Sequence, residues 1–276
     1  STPAIDKKVK EILKGAKDEM DSISRLNHWV ADNIRYSGIS MGEGEGFTLH
    51  TGNMTFTDRC GVCKDKAGML ITMLRAAGFE SYAAMTMAGS RIENIPADQF
   101  NHSVTVVRRR SGEYMLLDPT WVPFVREEWS SAEQQQNYLM GLPEGADLMI
   151  TPISEPENHP LKISGTSTIL ENGILEGSFS VTADGQTDAA LRGMFTRGYK
   201  KDWKRNLETE LRTIAQDIEI LEMTFSDPYG HMEGPIQISI KYRIPDYAVV
   251  TGNEIIFKPI IASNIFMRAQ AHLYAN

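Results

Sequence analysis

Cysteine is scarce in this chain, with only Cys60 and Cys63 among 276 residues. Two cysteines cannot build the disulfide framework that holds small secreted domains together, so the cysteine count leaves the redox compartment open. A chain of this length buries one large core or two smaller ones, and two domains are the default expectation. Its 41% hydrophobic and 23% charged residues are typical of globular proteins.

Long apolar runs and an excess of basic residues are also missing. No apolar stretch approaches the roughly 20 residues that a membrane-spanning helix needs. The net charge of −8 disfavours non-specific attraction to nucleic acid or to anionic membranes. The basic triplet at residues 108–110 precedes Ser111-Gly112 and is typical of a solvated hairpin tip. We therefore expect neither a nucleic-acid partner nor a membrane span.

A glycine-rich acidic stretch at residues 38–46 has some features of a phosphate-binding loop. It lacks the Gly-Lys-Ser/Thr ending of such a loop, and its carboxylates would repel phosphate. Its glycine content favours a mobile surface loop instead. We predict no cofactor.

The spacing of apolar residues predicts the elements of the first half of the chain. Helices are expected over residues 4–14 and 21–35, with Asp21 or Ser22 as the N-cap of the second. A further helix is expected over Cys63–Ala77. Strands are predicted over Ser81–Met87, His102–Arg108 and Glu113–Leu117, the last two forming a hairpin.

The composition changes near residue 151. Residues 151–160 contain three prolines and are typical of a linker. Strands, then a helical stretch broken near Gly198, then more strands predict a small α+β domain with helices on one face of an antiparallel sheet. We therefore predict an α+β fold with domains at 1–150 and 161–276. The later elements are predicted over 161–170, 174–183, 188–217, 219–225, 236–243 and 254–259.

Cys63 has the features of a reactive thiol. It follows Gly61-Val62 at the start of a predicted helix, where free N–H groups and the helix dipole lower a thiol pKa. Cys60 lies in the preceding loop and lacks that advantage. Asp65 and Lys66 flank the nucleophile, in a first helical turn where charges are usually solvated. Cys63 is therefore the predicted nucleophile.

His102 and Asp118 stand at one end of the predicted hairpin. Counting outward from a tip at residues 109–112 places them nearly opposite each other, close enough for a carboxylate–imidazole hydrogen bond. Taken alone, His102 would be a residue that ends a sheet, and Asp118 would accept N–H groups of a turn. Together with Cys63 they supply a nucleophile, a base and the group that orients the base.

Two other uses of the cysteines remain as alternatives. Cys60 and Cys63 have the spacing of a thioredoxin-type redox pair, but that fold needs a buried strand just upstream, where residues 52–58 are short and polar. Zinc binding through Cys60, Cys63 and His102 lacks a fourth ligand, so we predict no metal site.

The stretch from about Ile23 to Trp121 resembles the transglutaminase-like superfamily of papain-related Cys-His-Asp proteins. The resemblance implies a helix bearing the cysteine, packed on an antiparallel sheet that bears the histidine and the aspartate. It assigns the nucleophile, base and orienting acid to Cys63, His102 and Asp118. It is carried by the motifs His28–Tyr36, Gly61–Ala67, Leu74–Glu80, Asn101-His102 and Leu116–Trp121.

The resemblance also implies a function. It implies attack on a peptide or glutamine amide bond through a Cys63 thioester, with hydrolysis favoured over crosslinking and a peptide or protein as substrate. A protein-binding scaffold that retains the three residues is the alternative. The Cys63–Lys66 motif resembles a bacterial branch with accessory β domains, which implies a longer, exported protein. Val62 replaces the usual acidic residue of the family, and Cys60 is an addition.

Overall fold

The helical and strand patterns of the chain appear as an α+β structure in the computed structural model, which describes residues 1–37, 50–95 and 97–259. The loop predicted at 38–46 lies outside these residues. The α-helices are α1 (Pro3–Ile12), α2 (Glu19–Asn33), α3 (Gly52–Asp58), α4 (Cys63–Ala76), α5 (Gly185–Thr196) and α6 (Trp203–Leu211). The strands are β1 (Arg35–Tyr36), β2 (Cys60–Gly61), β3 (Glu80–Thr86), β4 (His102–Arg108), β5 (Tyr114–Leu117), β6 (Asn137–Met140), β7 (Leu148–Ile150), β8 (Leu161–Ile169), β9 (Leu175–Ala183), β10 (Glu219–Phe225), β11 (Gln237–Ile244), β12 (Ala248–Thr251) and β13 (Glu254–Phe257).

The described residues form two compact units. The first contains residues 1–123 and 127–154, and the second contains residues 124–126 together with the described residues from 155 onward. Within the described part of the chain, no helix has the length and apolarity needed to cross a membrane.

The first unit is built on an antiparallel sheet with strand order β5-β4-β3-β6-β7. Helix α4 packs on β3 and β4, and α1 and α2 pack on α4. The predicted arrangement of a cysteine-bearing helix on an antiparallel sheet is therefore confirmed. The apolar cluster between helices and sheet includes Ile23, Leu26, Val30, Met69, Leu70, Met73, Leu74, Val107 and Leu117.

Helix α2 begins earlier than the sequence pattern indicated. Its N-cap is Asp18, whose carboxylate accepts a hydrogen bond from the Asp21 N–H at 2.8 Å. The prediction of Asp21 or Ser22 as the cap was wrong, because both already lie in the first helical turn. Asp21 instead pairs with Arg25 one turn later, at 2.9 Å.

The β4–β5 hairpin has a register one residue away from the expected one. Thr105 pairs with Leu117 and Arg108 pairs with Tyr114. Continuing this register by one residue places Asp118 beside Val104. Because side chains alternate between the faces of a strand, His102 shares the face of Val104, and Asp118 lies diagonally across from it on that face.

The second unit is an antiparallel sheet with strand order β10-β11-β9-β8, and its core includes side chains of α5 and α6. A turn and a short 3-10 helix, Lys200–Asp202, separate these two helices. The turn contains Gly198, near which the break was predicted, and the Gly198 amide donates to the Phe195 carbonyl.

Two residues of α5, Asp188 and Arg192, form a buried ion pair. Arg192 and Asp188 are 1% and 0% exposed, and their Nε and Oδ2 atoms are 2.6 Å apart. Arg192 also donates to the carbonyl groups of Asp227, Pro228 and Gly234, while Asp188 accepts the Ile236 N–H. One side chain thus satisfies several backbone groups of the 227–236 segment.

We expect Arg192→Met to lower the free energy of unfolding of the second unit by about 3–5 kcal/mol, because it leaves a buried carboxylate without its partner. Urea denaturation followed by the fluorescence of Trp203, which packs on α5, measures the change. Arg197→Met, at an exposed arginine just after the same helix, is the control and should cost no more than about 0.5 kcal/mol. Equal losses in the two variants would contradict this account.

Candidate active site

The first turn of α4 places Cys63 at the first position of the helix. The Asp65 carboxylate accepts the Val62 N–H at 2.9 Å and its other oxygen lies 3.1 Å from His50 Nδ1. Asp65 is fully buried, so the expectation of a solvated charge was wrong here. Its carboxylate caps the helix and so fixes the backbone that carries the thiol.

Lys66 was also expected in solvent, and it too is buried, at 1% exposure. Its ammonium group donates to the carbonyl oxygens of Ala31 and Ile34, at 3.0 and 2.7 Å. Burial lowers the pKa of Lys66 to about 8, against the opposing effects of Asp118 and Asp32. Lys66 therefore caps the C-terminal end of α2 and ties that helix to the turn that carries Cys63.

His102 and Asp118 meet as the sequence predicted. His102 Nε2 lies 2.8 Å from Asp118 Oδ2, and both side chains are buried. The second carboxylate oxygen accepts the Thr120 N–H at 2.9 Å. Burial alone would lower the pKa of His102, but the charge and hydrogen bond of Asp118 dominate, helped by Cys63, and raise it to about 10. The imidazole is therefore protonated at neutral pH.

The Cys63 thiol is half-buried and reduced, and it hydrogen-bonds the His102 side chain. Burial raises its pKa, yet hydrogen bonds with His102 and with the backbone of Ser103 and Lys64, together with the His102 charge, lower it overall. The structure thus brings Cys63, His102 and Asp118 into one chain of contacts. Such a chain favours a thiolate–imidazolium pair.

Two further residues, Glu133 and Tyr36, reach this cluster, although the sequence analysis did not predict them as site residues. Glu133 comes from a 3-10 helix, Ser131–Glu133, far along the chain from the hairpin. One side-chain oxygen or nitrogen atom from each of His102, Asp118 and Glu133 lies within 4.8 Å of the others. Burial and the Asp118 charge raise the pKa of Glu133 to about 8, although His102 opposes this. Tyr36, next to Gly61 in the β1–β2 pair, interacts with Cys63, and its partial burial raises its pKa.

His102, Asp118 and Glu133 are residues of types that bind metal ions. His102 Nε2 and Asp118 Oδ2, which would be ligand atoms, are directed at each other in a hydrogen bond. That geometry is typical of an ion pair and not of two ligands converging on one ion.

Two tryptophans of the first unit, Trp29 and Trp121, have different surroundings. Trp121 is 53% exposed and its ring lies 6.2 Å from the His102 ring, so it borders the site. Trp29 stacks on Phe56 at 5.9 Å, beneath the guanidinium of Arg59, which indicates a packing role. Cys60 is a half-buried free thiol in β2.

Comparison with known families agrees with this geometry. Residues 6–119 match the model of the transglutaminase-like superfamily. This segment is a transglutaminase-like core. The match contains Cys63, His102 and Asp118, whereas Glu133 lies outside it.

Two solved structures show limited similarity to the chain, and no curated protein matches it. A proposed cysteine protease from Cytophaga hutchinsonii is 21% identical, with a TM-score of 0.34 over 43% of this chain and 37% of that one. A proposed protease from Parabacteroides distasonis is 9% identical, with a TM-score of 0.41 over 88% of this chain. The present chain spans 49% of the length of the second protein.

Gly61 is required in the transglutaminase-like core because a Cβ atom there would lie 2.5 Å from Asp65 Cβ. We expect Gly61→Ala to lower the free energy of unfolding by about 1–3 kcal/mol and to slow alkylation of Cys63, because the capping carboxylate has to move. Gly198→Ala, where a Cβ would meet no atom closer than 3.9 Å, is the control. Denaturation and alkylation by iodoacetamide are measured on both variants, and unchanged reactivity in Gly61→Ala would refute the positioning role.

Proposed function

We propose that this protein is a cysteine enzyme that cleaves amide bonds, either in a peptide backbone or in a glutamine side chain. The observation that supports this best is the continuous set of contacts from Asp118 to His102 to Cys63 at a helix N-terminus. The lowered pKa of Cys63 and the raised pKa of His102 fit a thiolate–imidazolium pair at neutral pH.

In the proposed first step, the Cys63 thiolate attacks the amide carbonyl carbon and a C–S bond forms. The developing oxyanion accepts a hydrogen bond from the main-chain N–H of Cys63, which lies in the first turn of α4. The C–N bond then breaks as the His102 imidazolium gives its proton to the leaving nitrogen. An amine or ammonia departs and a thioester remains on Cys63.

In the second step, His102 removes a proton from water and the hydroxide adds to the thioester carbon. The C–S bond breaks, a carboxylic acid is released, and the Cys63 thiolate is restored beside a protonated His102. Asp118 keeps the ring oriented through both proton transfers and stabilises its charged form. A substrate amine in place of water would give crosslinking, and we favour water.

The identity of the nucleophile is tested by labelling with iodoacetamide at neutral pH. We expect Cys63→Ala to abolish rapid labelling, because the thiolate beside His102 is removed. Cys60→Ala is the matched control, since it removes the second thiol and leaves the contacts of Cys63 in place. Rapid labelling that persists in Cys63→Ala would overturn the assignment.

The products separate hydrolysis from crosslinking and from a binding role. Incubation with unfolded casein and a fluorescent amine should give new peptide termini or free ammonia without incorporation of the amine. Both products should be lost in Cys63→Ala. Incorporation of the amine would identify a crosslinking enzyme. Binding of casein without any product would favour a scaffold that retains the three residues.

A further inference from the structure

Glu133 is an ionisable group beside Asp118 to which the proposed mechanism gives no role. Its side chain is only 8% exposed, and one of its carboxyl oxygens lies within 4.8 Å of an Asp118 oxygen, which places the two carboxyl groups where they can share a proton. Its Oε1 atom has no hydrogen-bond partner among the residues that the structure describes. Two buried carboxyl groups this close together repel each other when both are ionised, so the location of a proton between them has to be established.

A hydrogen bond between two carboxyl groups requires a proton on one of them, because carboxylates only accept hydrogen bonds. Asp118 accepts from the His102 ring at 2.8 Å and from the Thr120 N–H at 2.9 Å, and both donors stabilise its ionised form. Glu133 is buried, and its Oε1 has no donor in the described part of the chain. The proton therefore resides on Glu133.

We propose that Glu133 is a positioning residue that donates its carboxyl proton to Asp118 and keeps a single negative charge beside His102. The proposal rests on the proposed function, since Asp118 and His102 are taken as the catalytic pair. The hydrogen bond fixes the rotamer of Asp118. The absence of a second charge leaves the imidazolium able to release its proton to the leaving amine.

The groups that face Glu133 come from three other elements. They are Asp118 after β5, His102 at the start of β4 and Cys63 at the start of α4. Lys66, also in α4, acts on Asp118 in turn. If Glu133 ionised, it would stand next to one carboxylate and near the thiolate, and only His102 would favour its charge. The arrangement thus holds Glu133 neutral at neutral pH and releases its proton near pH 8.

Glu133→Gln tests the proposal because an amide is a permanently neutral donor. At pH 7 this variant should react with iodoacetamide within about twofold of the wild-type rate, whereas Glu133→Leu, which lacks the donor, should be slower by about tenfold. The midpoint of the His102 titration, followed by NMR, should fall by about one pH unit in Glu133→Gln, because a charge present in the wild type above pH 8 is gone. Packing alone would not move this midpoint.

Infrared spectroscopy observes the proton directly. The wild type should show a carboxylic-acid carbonyl band at pH 7 that falls to half its intensity at about pH 8 and is lost at higher pH. The band should be absent from Glu133→Gln. Glu128→Gln is the matched control, because Glu128 is a partly buried glutamate whose side chain hydrogen-bonds His28, Ser24 and Asn27 and whose pKa is lowered. That variant should keep the band and the His102 titration.

The outcomes separate this proposal from the proposed function. A wild-type thiol that ionises only near its reference pKa of about 8.5 would count against the enzyme itself. A reactive thiolate with no carboxylic-acid band at pH 7 would overturn the role of Glu133 alone. So would a His102 titration that is identical in the wild type and Glu133→Gln. The infrared measurement on the wild type decides the matter even if the variants fail to fold.

Discussion

The buried hydrogen bond between His102 and Asp118 is the interaction on which the first unit depends. A charged pair removed from water is tolerated only when its remaining hydrogen-bonding groups are also satisfied. Here the Thr120 N–H donates to the second carboxylate oxygen of Asp118, and the Asp118 N–H donates to the Glu128 carbonyl. The Cys63 thiol forms a hydrogen bond with the His102 ring. The chain after β5 therefore has to fold back over the strand ends, and that path also brings Glu133 to the pair.

The backbone around Cys63 is held in place by the side chains of Asp65 and Lys66, which bond to backbone groups. The Asp65 carboxylate caps the start of α4, and the Lys66 ammonium group reaches from α4 to the last carbonyl groups of α2. Two neighbouring residues therefore fix two helix termini. Helix ends bear partial charges and unpaired backbone groups, and a buried ionised side chain can satisfy them. The Cys63 position is thus set by electrostatics around it before any substrate binds.

The sequence was most informative where contacts are local or periodic. The spacing of apolar residues in α4 and the alternation in β4 and β5 predicted those elements closely, and with them the neighbourhood of Cys63, His102 and Asp118. The short strands β1, β2, β6 and β7 escaped because two to four residues carry no usable period. The sequence did not predict Glu133 as a site residue for a related reason. Its position near Asp118 depends on the course of the irregular segment between β5 and the 3-10 helix Ser131–Glu133, which has no periodic pattern. The burial of Asp65 and Lys66 depends on the position of α2, which their local sequence does not contain.

The register of the β4–β5 hairpin links a remote turn to the chemistry. His102 and Asp118 project from the same face of the sheet because the chain between them contains a fixed number of residues. One residue more or fewer at the 109–112 tip, with β4 held in place, would turn Asp118 to the opposite face. The length of this tip is therefore constrained, and Gly112 within it has a φ of +92°, which favours glycine. The number of residues in an exposed loop therefore sets the relative position of His102 and Asp118.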